Sequence, residues 1–461
     1  MNPKDFSINV NNNSIGVAPN SSFLGVVSSG INEPAATTGT AANEVYGNIP
    51  ERPLQDAVEG IKFDFNDGIR VAVPPGNREY RICFSDMDTG VFLYNNVVQP
   101  GGMVTSVKKF FIRFKLEIFR KNENTPIFVH EYDATNKQVM IQLPVSTLGD
   151  PLGWFPYVEK FRVKNNCKVI AVMTDSMIQL LSKMYPEITF ITKNDTMKYR
   201  TYACYYLGLF FRGNTSNQPS DFRYVGLHRT AGYILGVDPS EERPRFDLSA
   251  PRRIKEPYVC IGVQSSNQAK YWNNPNGWLE VVKLLHSAGY RVLCMDREPV
   301  YGWGINYNHM PAGTEDFTGS LPLQERVDII KDCDFFIGLS SGLSWLAWGC
   351  KVPVVMISGL THPLNEFNTP YRVINYHTCN SCWNDMRVDF DHYDFLWCPR
   401  HKGTDRHYEC TKMISPFQVS EMVKRVPQFQ AQLESHQKEL AASQPQAAAA
   451  KEAKPVNNKK K

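Results

Sequence analysis

Hydrophobic and polar positions change rhythm several times along the chain, and each change marks a boundary. Residues 1–52 show no period and are rich in Asn, Ser, Gly and Thr, which predicts a disordered or loosely packed arm. From Phe110, the residues Phe110, Ile112, Phe114, Leu116 and Ile118 alternate with Phe111, Arg113, Lys115 and Glu117, the period of a half-buried strand. Glu79–Phe84, Val91–Tyr94 and Ile127–Tyr132 are shorter strand candidates, punctuated by Gly90, Gly101-Gly102 and Asn122–Thr125. A small antiparallel β domain over 53–138 follows.

After Val139 the rhythm becomes strand, then helix. Val139–Val145 is a predicted strand, followed by a turn and a helix containing Trp154, Tyr157, Val158 and Phe161. Lys168–Met173, a helix near Met177–Met184, Ile188–Ile191 and Tyr202–Phe211 continue the series to about 245. Pro244–Pro257, with three prolines and several charges, reads as a crossover linker. A second series fills 257–376: strands at Tyr258–Val263, Arg291–Asp296, Phe335–Gly338 and Val352–Ser358, helices at Gly277–Ser287, Leu323–Lys331 and Leu343–Gly349. Two such α/β halves, each Rossmann-like with a mostly parallel sheet, leave a cleft at their strand C-termini where ligands bind. Residues 427–461, mostly Gln, Ala and Lys, are expected to be a disordered tail.

The segment 377–426 breaks the pattern. It is poor in aliphatic residues and carries Cys379-Asn-Ser-Cys382, Cys398 and Cys410. Two thiolates spaced by two residues, with two more downstream, can close a tetrahedral donor set, and a bound ion would give fixed shape to a stretch that cannot bury a core; the alternative is four incidental thiols, two of them a redox Cys-x-x-Cys pair. Four soft thiolates suit zinc or iron, and spacing does not choose between them.

Composition narrows the function. The 461 residues carry a formal charge of +4, with much of the excess in Lys451–Lys461, so no nucleic-acid surface is implied. No run of eighteen apolar residues predicts a membrane span, and the N-terminus lacks the apolar core of a signal peptide. Eleven cysteines without a secretory signal point to a reducing compartment, the cytoplasm.

Three places can carry chemistry. Leu339-Ser-Ser-Gly-Leu-Ser344 lies between a strand and a helix, where small residues let N–H groups approach an anion; Ser is equally an ordinary N-cap. Val263-Gln-Ser-Ser-Asn-Gln-Ala-Lys270 is a polar loop in the equivalent place, with a cation for phosphate and with Trp272 close by. Asp150, at the first turn of the other half, is placed either to accept a proton or to cap its helix ahead of Pro151. No Gly-x-x-x-x-Gly-Lys-[Ser/Thr] loop is present, which argues against an ATPase.

Thr147-Leu-Gly-Asp150, Gln264–Lys270 with Trp272, Thr318-Gly-Ser-Leu-Pro-Leu and Gly338-Leu-Ser-Ser-Gly resemble the ADP-heptose transferases of lipopolysaccharide synthesis, which have the GT-B fold. The cysteine segment is foreign to those enzymes. Together with Gly226-Leu-His-Arg-Thr-Ala-Gly-Tyr-Ile-Leu-Gly-Val-Asp-Pro239, Lys270-Tyr-Trp-Asn-Asn-Pro-Asn-Gly-Trp278 and Cys379-Asn-Ser-Cys-Trp-Asn-Asp385, it is similar to the bacterial autotransporter heptosyltransferases, over about 75–426.

That resemblance implies a cytoplasmic protein O-glycosyltransferase moving heptose from ADP-heptose to serines of an autotransporter adhesin's passenger domain. It implies Asp150 as catalytic base and Lys270 as the cation on the departing ADP. Donor contacts would come from Thr147, Gly149, Gln264, Ser265, Ser266, Trp272 and Ser340-Ser341-Gly342-Leu343-Ser344, with Thr361, His362, Pro363, Asn365 and Glu366 near ribose or heptose. It also implies one structural iron per chain on Cys379, Cys382, Cys398 and Cys410 (zinc being the alternative) and a homo-oligomer, a dodecamer in that family. One departure stands out: where the lipopolysaccharide enzymes place an acidic residue after the strand, this chain has Ser340-Ser341. The rival readings are a GT-B transferase with another nucleotide sugar or a lipid-linked acceptor, and a non-catalytic, metal-stabilised binding protein.

Overall fold

A computed structural model describes residues 45–211 and 213–443; the expected arm over 1–44 and the end of the expected tail, 444–461, lie outside them. Along the first half run β1 (Gln55–Asp56), β2 (Lys62–Asn66), β3 (Arg70–Ala72), β4 (Tyr80–Asp86), β5 (Phe92–Val98), β6 (Met103–Thr105), β7 (Phe114–Arg120), β8 (Phe128–Glu131) and β9 (Gln138–Gln142). Helix α1 (Gly149–Asn165), β10 (Lys168–Val172), α2 (Asp175–Leu181), β11 (Thr189–Ile191) and β12 (Ala203–Tyr206) follow. The second half comprises β13 (Tyr258–Gly262), α3 (Gly277–Ser287), β14 (Arg291–Cys294), the hairpin β15 (Val300–Trp303) and β16 (Asn306–His309), β17 (Glu315–Asp316), α4 (Leu323–Ile330), β18 (Phe336–Leu339), α5 (Gly342–Gly349), β19 (Val354–Ile357) and β20 (Arg372–Val373). Two helices, α6 (Pro416–Val423) and α7 (Pro427–Ser443), close it.

Strands β13 and β18 are buried along their whole length, so both faces need apolar residues, and Tyr-Val-Cys-Ile-Gly and Phe-Ile-Gly-Leu supply them. They lie at the centre of a six-stranded parallel sheet ordered β17-β14-β13-β18-β19-β20. The first half builds on β9 and β10 in the same way. The two Rossmann-like halves are those of a GT-B fold.

The N-terminal strands do not all belong to one separate unit. Strands β4, β5, β7 and β8 form an antiparallel sheet ordered β5-β4-β7-β8, but β2, β3 and β6 extend the Rossmann-like sheet, β2 lying parallel to β12. Lys-Phe-Asp-Phe-Asn alternates as a half-exposed strand should, yet its polar face is buried as well. There Arg70 clamps Asp64 through two bonds of 2.8 Å, and Asn66 reaches Thr201 beside β12.

Three boundaries differ from expectation. The strand predicted from Phe110 begins at Phe114, because Phe111 turns aside to pack on Phe161 and Tyr132. Residues 45–52 are seated rather than loose at their start: Tyr46 donates to the Leu207 carbonyl, and Gly47 N–H to Gln142. Residues 427–443 of the expected tail form α7, with Phe429 buried against Tyr290 and Phe335. Gln, Ala and Lys are strong helix formers, and Val426, Phe429 and Leu433 give the helix an apolar edge on the second core.

Candidate active site

The N-termini of α1 and α5 meet at the floor of a cavity of about 670 Å³ between the halves. They meet because both begin on glycine. A Cβ at Gly342 would lie 2.5 Å from the Leu148 Cβ, and one at Gly149 would lie 2.9 Å from the Trp345 ring. The second residue of α1 is Asp150, where the helix dipole favours a carboxylate. Thr147 Oγ1 donates to Asp150 Oδ2 at 2.6 Å, and both residues line the cavity.

Across the cavity, Lys270 ends a turn of 3₁₀ helix, Gln268–Lys270, whose cap is Asn267: its Oδ1 accepts from the Ala269 N–H at 2.9 Å. The loop is tied at both ends. Asp296, beyond β14, accepts from the Val263 and Gln264 N–H groups at 2.8 and 3.1 Å. The cysteine segment accepts from the other end, the Asp394 carbonyl from Asn267 Nδ2 and the Phe395 carbonyl from the Gln268 N–H. The Lys270 ammonium lies 5.4 Å from the centre of the Trp383 ring, and among the described residues it has no carboxylate within ion-pair distance.

The third loop leads into α5. Ser340 donates to Glu366, which also accepts from Asn365 Nδ2 at 3.0 Å and from Arg372 Nη1 at 2.9 Å. Ser344 turns inward to the Leu339 carbonyl, while the buried Ser341 hydroxyl has no hydrogen-bond partner among the described residues. An oxyanion held between Ser341, the first N–H groups of α5 and Lys270 would meet donors on both sides.

Burial sets the protonation of the two facing groups. It raises the Asp150 carboxyl above the ordinary carboxylate range, partly offset by the Thr147 hydrogen bond and by Lys270. It lowers the Lys270 ammonium, partly offset by Asp150 and Glu366. Asp296, more enclosed still, is pushed up to about 6 by the same cause.

Of the residues singled out in the sequence, Thr147, Gly149, Asp150, Gln264, Ser265, Ser266, Lys270, Ser340, Ser341, Gly342, Leu343, Asn365 and Glu366 line this one cavity. Trp272 does not: it is buried against Trp278 and donates to the Ile414 carbonyl, because aromatic bulk beside Gly277 serves the core. Ser344 is inside the helix packing, Thr361 is buried away from the cavity, and His362 caps the turn at Pro363 through its own Nδ1. Sequence reasoning passed over Asp296, Trp383 and His392, all lining the cavity. Asp296 ends a strand at a sheet's C-terminal edge, a signal that was available; Trp383 and His392 gave none.

The cysteine segment has no regular structure between β20 and a short helix at Glu409–Lys412 except a turn at Cys382–Asn384. Cys382, Cys398 and Cys410 are buried, Cys379 half-buried, and no cysteine among the described residues forms a disulfide. The Cys379 and Cys382 sulfurs lie 3.9 Å apart, close to the ~3.8 Å edge of a tetrahedron of metal–sulfur bonds. Burial together with its thiol neighbours pushes Cys382 up to about 12 and raises Cys410 as well; a bound cation reverses that preference. Among the described residues the four cysteine sulfurs are not all within 4.8 Å of one another, but donor atoms of Cys379, His401 and Glu409 are. These residues fit a metal ion.

Comparison with known proteins gives the family. Residues 58–122 match the N-terminal domain of glycosyltransferase TibC, and 225–388 match glycosyltransferase family 9 (heptosyltransferase). The chain is 52% identical over 377 residues to the autotransporter heptosyltransferase BAHTCr of Citrobacter rodentium, covering 82% of this chain and 91% of that one. It is 50% identical over 387 residues to autotransporter heptosyltransferase TibC of Escherichia coli, covering 84% and 95%. A crystal structure of TibC, a dodecameric iron-containing heptosyltransferase in complex with ADP-D-β-D-heptose, matches with a TM-score of 0.80 at 49% identity, over 84% of this chain and all of that one. BimC of Burkholderia thailandensis, an inactive autotransporter heptosyltransferase, is 40% identical over 397 residues, covering 86% and 92%. Likeness therefore leaves turnover to the cleft residues. By identity at this level and across this length, the chain belongs to the autotransporter heptosyltransferase family.

Proposed function

We propose that this protein transfers heptose from ADP-heptose to serine (or threonine) hydroxyls on the passenger domain of an autotransporter adhesin. The observation that carries the reading is the convergence of Asp150 from the first half and Lys270 from the second on one cavity that the donor-rich start of α5 also lines. The acceptor Oγ attacks the anomeric carbon, the bond from that carbon to the ADP oxygen breaks, and Asp150 takes the hydroxyl proton. Lys270 and the Ser340–Ser344 loop neutralise the charge growing on ADP, the contribution that usually dominates such catalysis. A carboxyl raised by burial is a better proton acceptor than an ordinary one.

Cys379, Cys382, Cys398 and Cys410 would hold one iron, with zinc as the rival ion. A closed set of four thiolates gives a structural cross-link and no open position for substrate. A homo-oligomer, dodecameric as in TibC, is supported by the apolar tip of the β15–β16 hairpin, where Trp303, Ile305 and Tyr307 are exposed. Among the described residues no helix is long and apolar enough to cross a membrane; the proposed place of action is the cytoplasm, before export.

The test is transfer in a reconstituted mixture of protein, ADP-heptose and a passenger fragment, read by intact mass beside an Asp150→Ala control. Mass steps of one heptose, absent in the control, are expected. No step, with metal near one per chain and ADP still binding, would reject this donor–acceptor pair; loss of ADP binding as well would favour a non-catalytic protein like BimC.

A further inference from the structure

The cysteine segment does more in this structure than close the fold: it forms a wall of the donor cavity, through Trp383 beside the thiol of Cys382. The Trp383 indole meets two parts of the site at once. Its face lies 5.4 Å from the Lys270 ammonium, and its Nε1–H donates to Asn365 Oδ1 at 3.0 Å. Asn365 Nδ2 donates to Glu366 Oε1 at 3.0 Å, and the same carboxylate oxygen accepts from Ser340 in the anion loop. Asn365 and Glu366 are both buried, so water cannot replace a missing partner.

An amide can point either way, and its neighbours choose. Here the indole N–H selects the Asn365 oxygen, which leaves the NH₂ for Glu366. Turned over, Asn365 would set its oxygen against the Glu366 carboxylate and push away the oxygen that accepts from Ser340. We propose that Trp383 is a positioning residue for the donor diphosphate, fixing the Ser340 hydroxyl through Asn365 and Glu366 and holding the Lys270 ammonium over its ring face. This rests on the ADP-donor reading above, and the experiment separates the two.

ADP is titrated calorimetrically into the metal-loaded full chain and into Trp383→Phe, Ser340→Ala and the double variant, with metal content measured for each. Trp383→Phe keeps a ring face for Lys270 and removes only the N–H. Losing one hydrogen bond in the chain should weaken ADP binding by about two- to tenfold. Because Ser340 lies on the same chain, the double variant should bind about as the weaker single variant does, not as the product of the two losses. Trp383→Leu removes the face as well, and its ADP affinity should fall off at lower pH on the alkaline side than that of Trp383→Phe. Wild-type affinity in Trp383→Phe, or losses that multiply in the double variant, would overturn the proposal while leaving the donor reading standing. No ADP binding by the wild-type chain would remove both. Should Trp383→Phe lose its metal, Asn365→Ala breaks the same chain outside the cysteine segment and carries the same expectation.

Discussion

The half that carries Ser340 and the segment that carries Trp383 face one cavity, but different forces hold them. The second half is a parallel sheet whose central strands are buried on both faces, sealed by α3, α6 and α7 over one apolar cluster. The cysteine segment has a small aromatic cluster of Trp383, Trp397, Phe390 and Tyr408, a set of single hydrogen bonds, and four thiols. Burial on that first scale tolerates the loss of one contact. A segment held by individual polar bonds and a metal does not, and it places groups whose position depends on each bond. The floor of the cleft is thus made by rigid elements, and one wall by a part whose geometry is set locally.

Asp150→Asn tests the floor and should have the largest effect. The side chain keeps its size, and Thr147 retains a carbonyl oxygen to donate to, so fold, metal content and ADP binding should persist. Turnover should fall by about 100- to 10,000-fold, the usual worth of a positioned base. Transfer at the wild-type rate would remove Asp150 from the mechanism and with it the role assigned to the floor.

Phe429→Ala tests the force that holds the second half. The ring is fully buried between Tyr290 and Phe335, so truncation should cost about 3–5 kcal/mol of stability in urea unfolding. Metal content and the ADP affinity of the folded fraction should stay as they are, since its ring partners Tyr290 and Phe335 do not line the cavity. Cys398→Ser is its counterpart in the other region. Metal should be lost, proteolysis should open the chain between about 377 and 410, and the two halves should remain folded on their own cores. ADP affinity should then drop by about tenfold, through the Asn267–Asp394 and Trp383–Asn365 bonds. A stable Cys398→Ser protein that keeps its metal and its affinity would erase the contrast between the regions.

The same contrast explains what the sequence reveals. Strands β9, β10, β13, β14, β18 and β19 announce themselves because burial on both faces writes an apolar run into the chain. Strand β2 escapes notice because its second face, Asp64 and Asn66, is buried in polar company that reads as solvent exposure. Helix α7 hides in a composition typical of disorder, and only the spacing of Val426, Phe429 and Leu433 marks it. In the site, groups tied to a strand end or helix start can be inferred from position, as with Asp150, Lys270 and Ser340. Trp383 and His392 come from a segment without period, and their approach to Lys270 depends on long-range packing that no local pattern encodes. Trp272 shows the converse: an aromatic two residues from the cavity-lining Lys270 is drawn to the core when a glycine at 277 leaves room for it.

The smallest effect is the most direct probe of how floor and wall share one field. Asp150 must be ionised to accept a proton, and burial raises its carboxyl, so the acid limb of kcat/KM should lie at higher pH than for an ordinary carboxylate. In the proposed role Lys270 carries its proton to hold ADP, and burial lowers its ammonium, so the alkaline limb should lie below the usual lysine range. The plateau is narrowed from both sides. Each group also partly restores the other, since a carboxylate favours the ammonium and the ammonium favours the carboxylate. In Asp150→Asn the carboxylate is gone, so the Lys270 ammonium should give up its proton sooner and the alkaline limb of ADP binding should move to lower pH. In Lys270→Met the acid limb of residual turnover should move to higher pH, because Asp150 loses the charge that favours its ionised form. Titrating ADP across pH into the first variant, and following turnover across pH in the second, checks both signs. If neither limb moved, the two groups would not share a field, and the cavity would be wetter and wider in solution than the geometry between Asp150 and Lys270 requires.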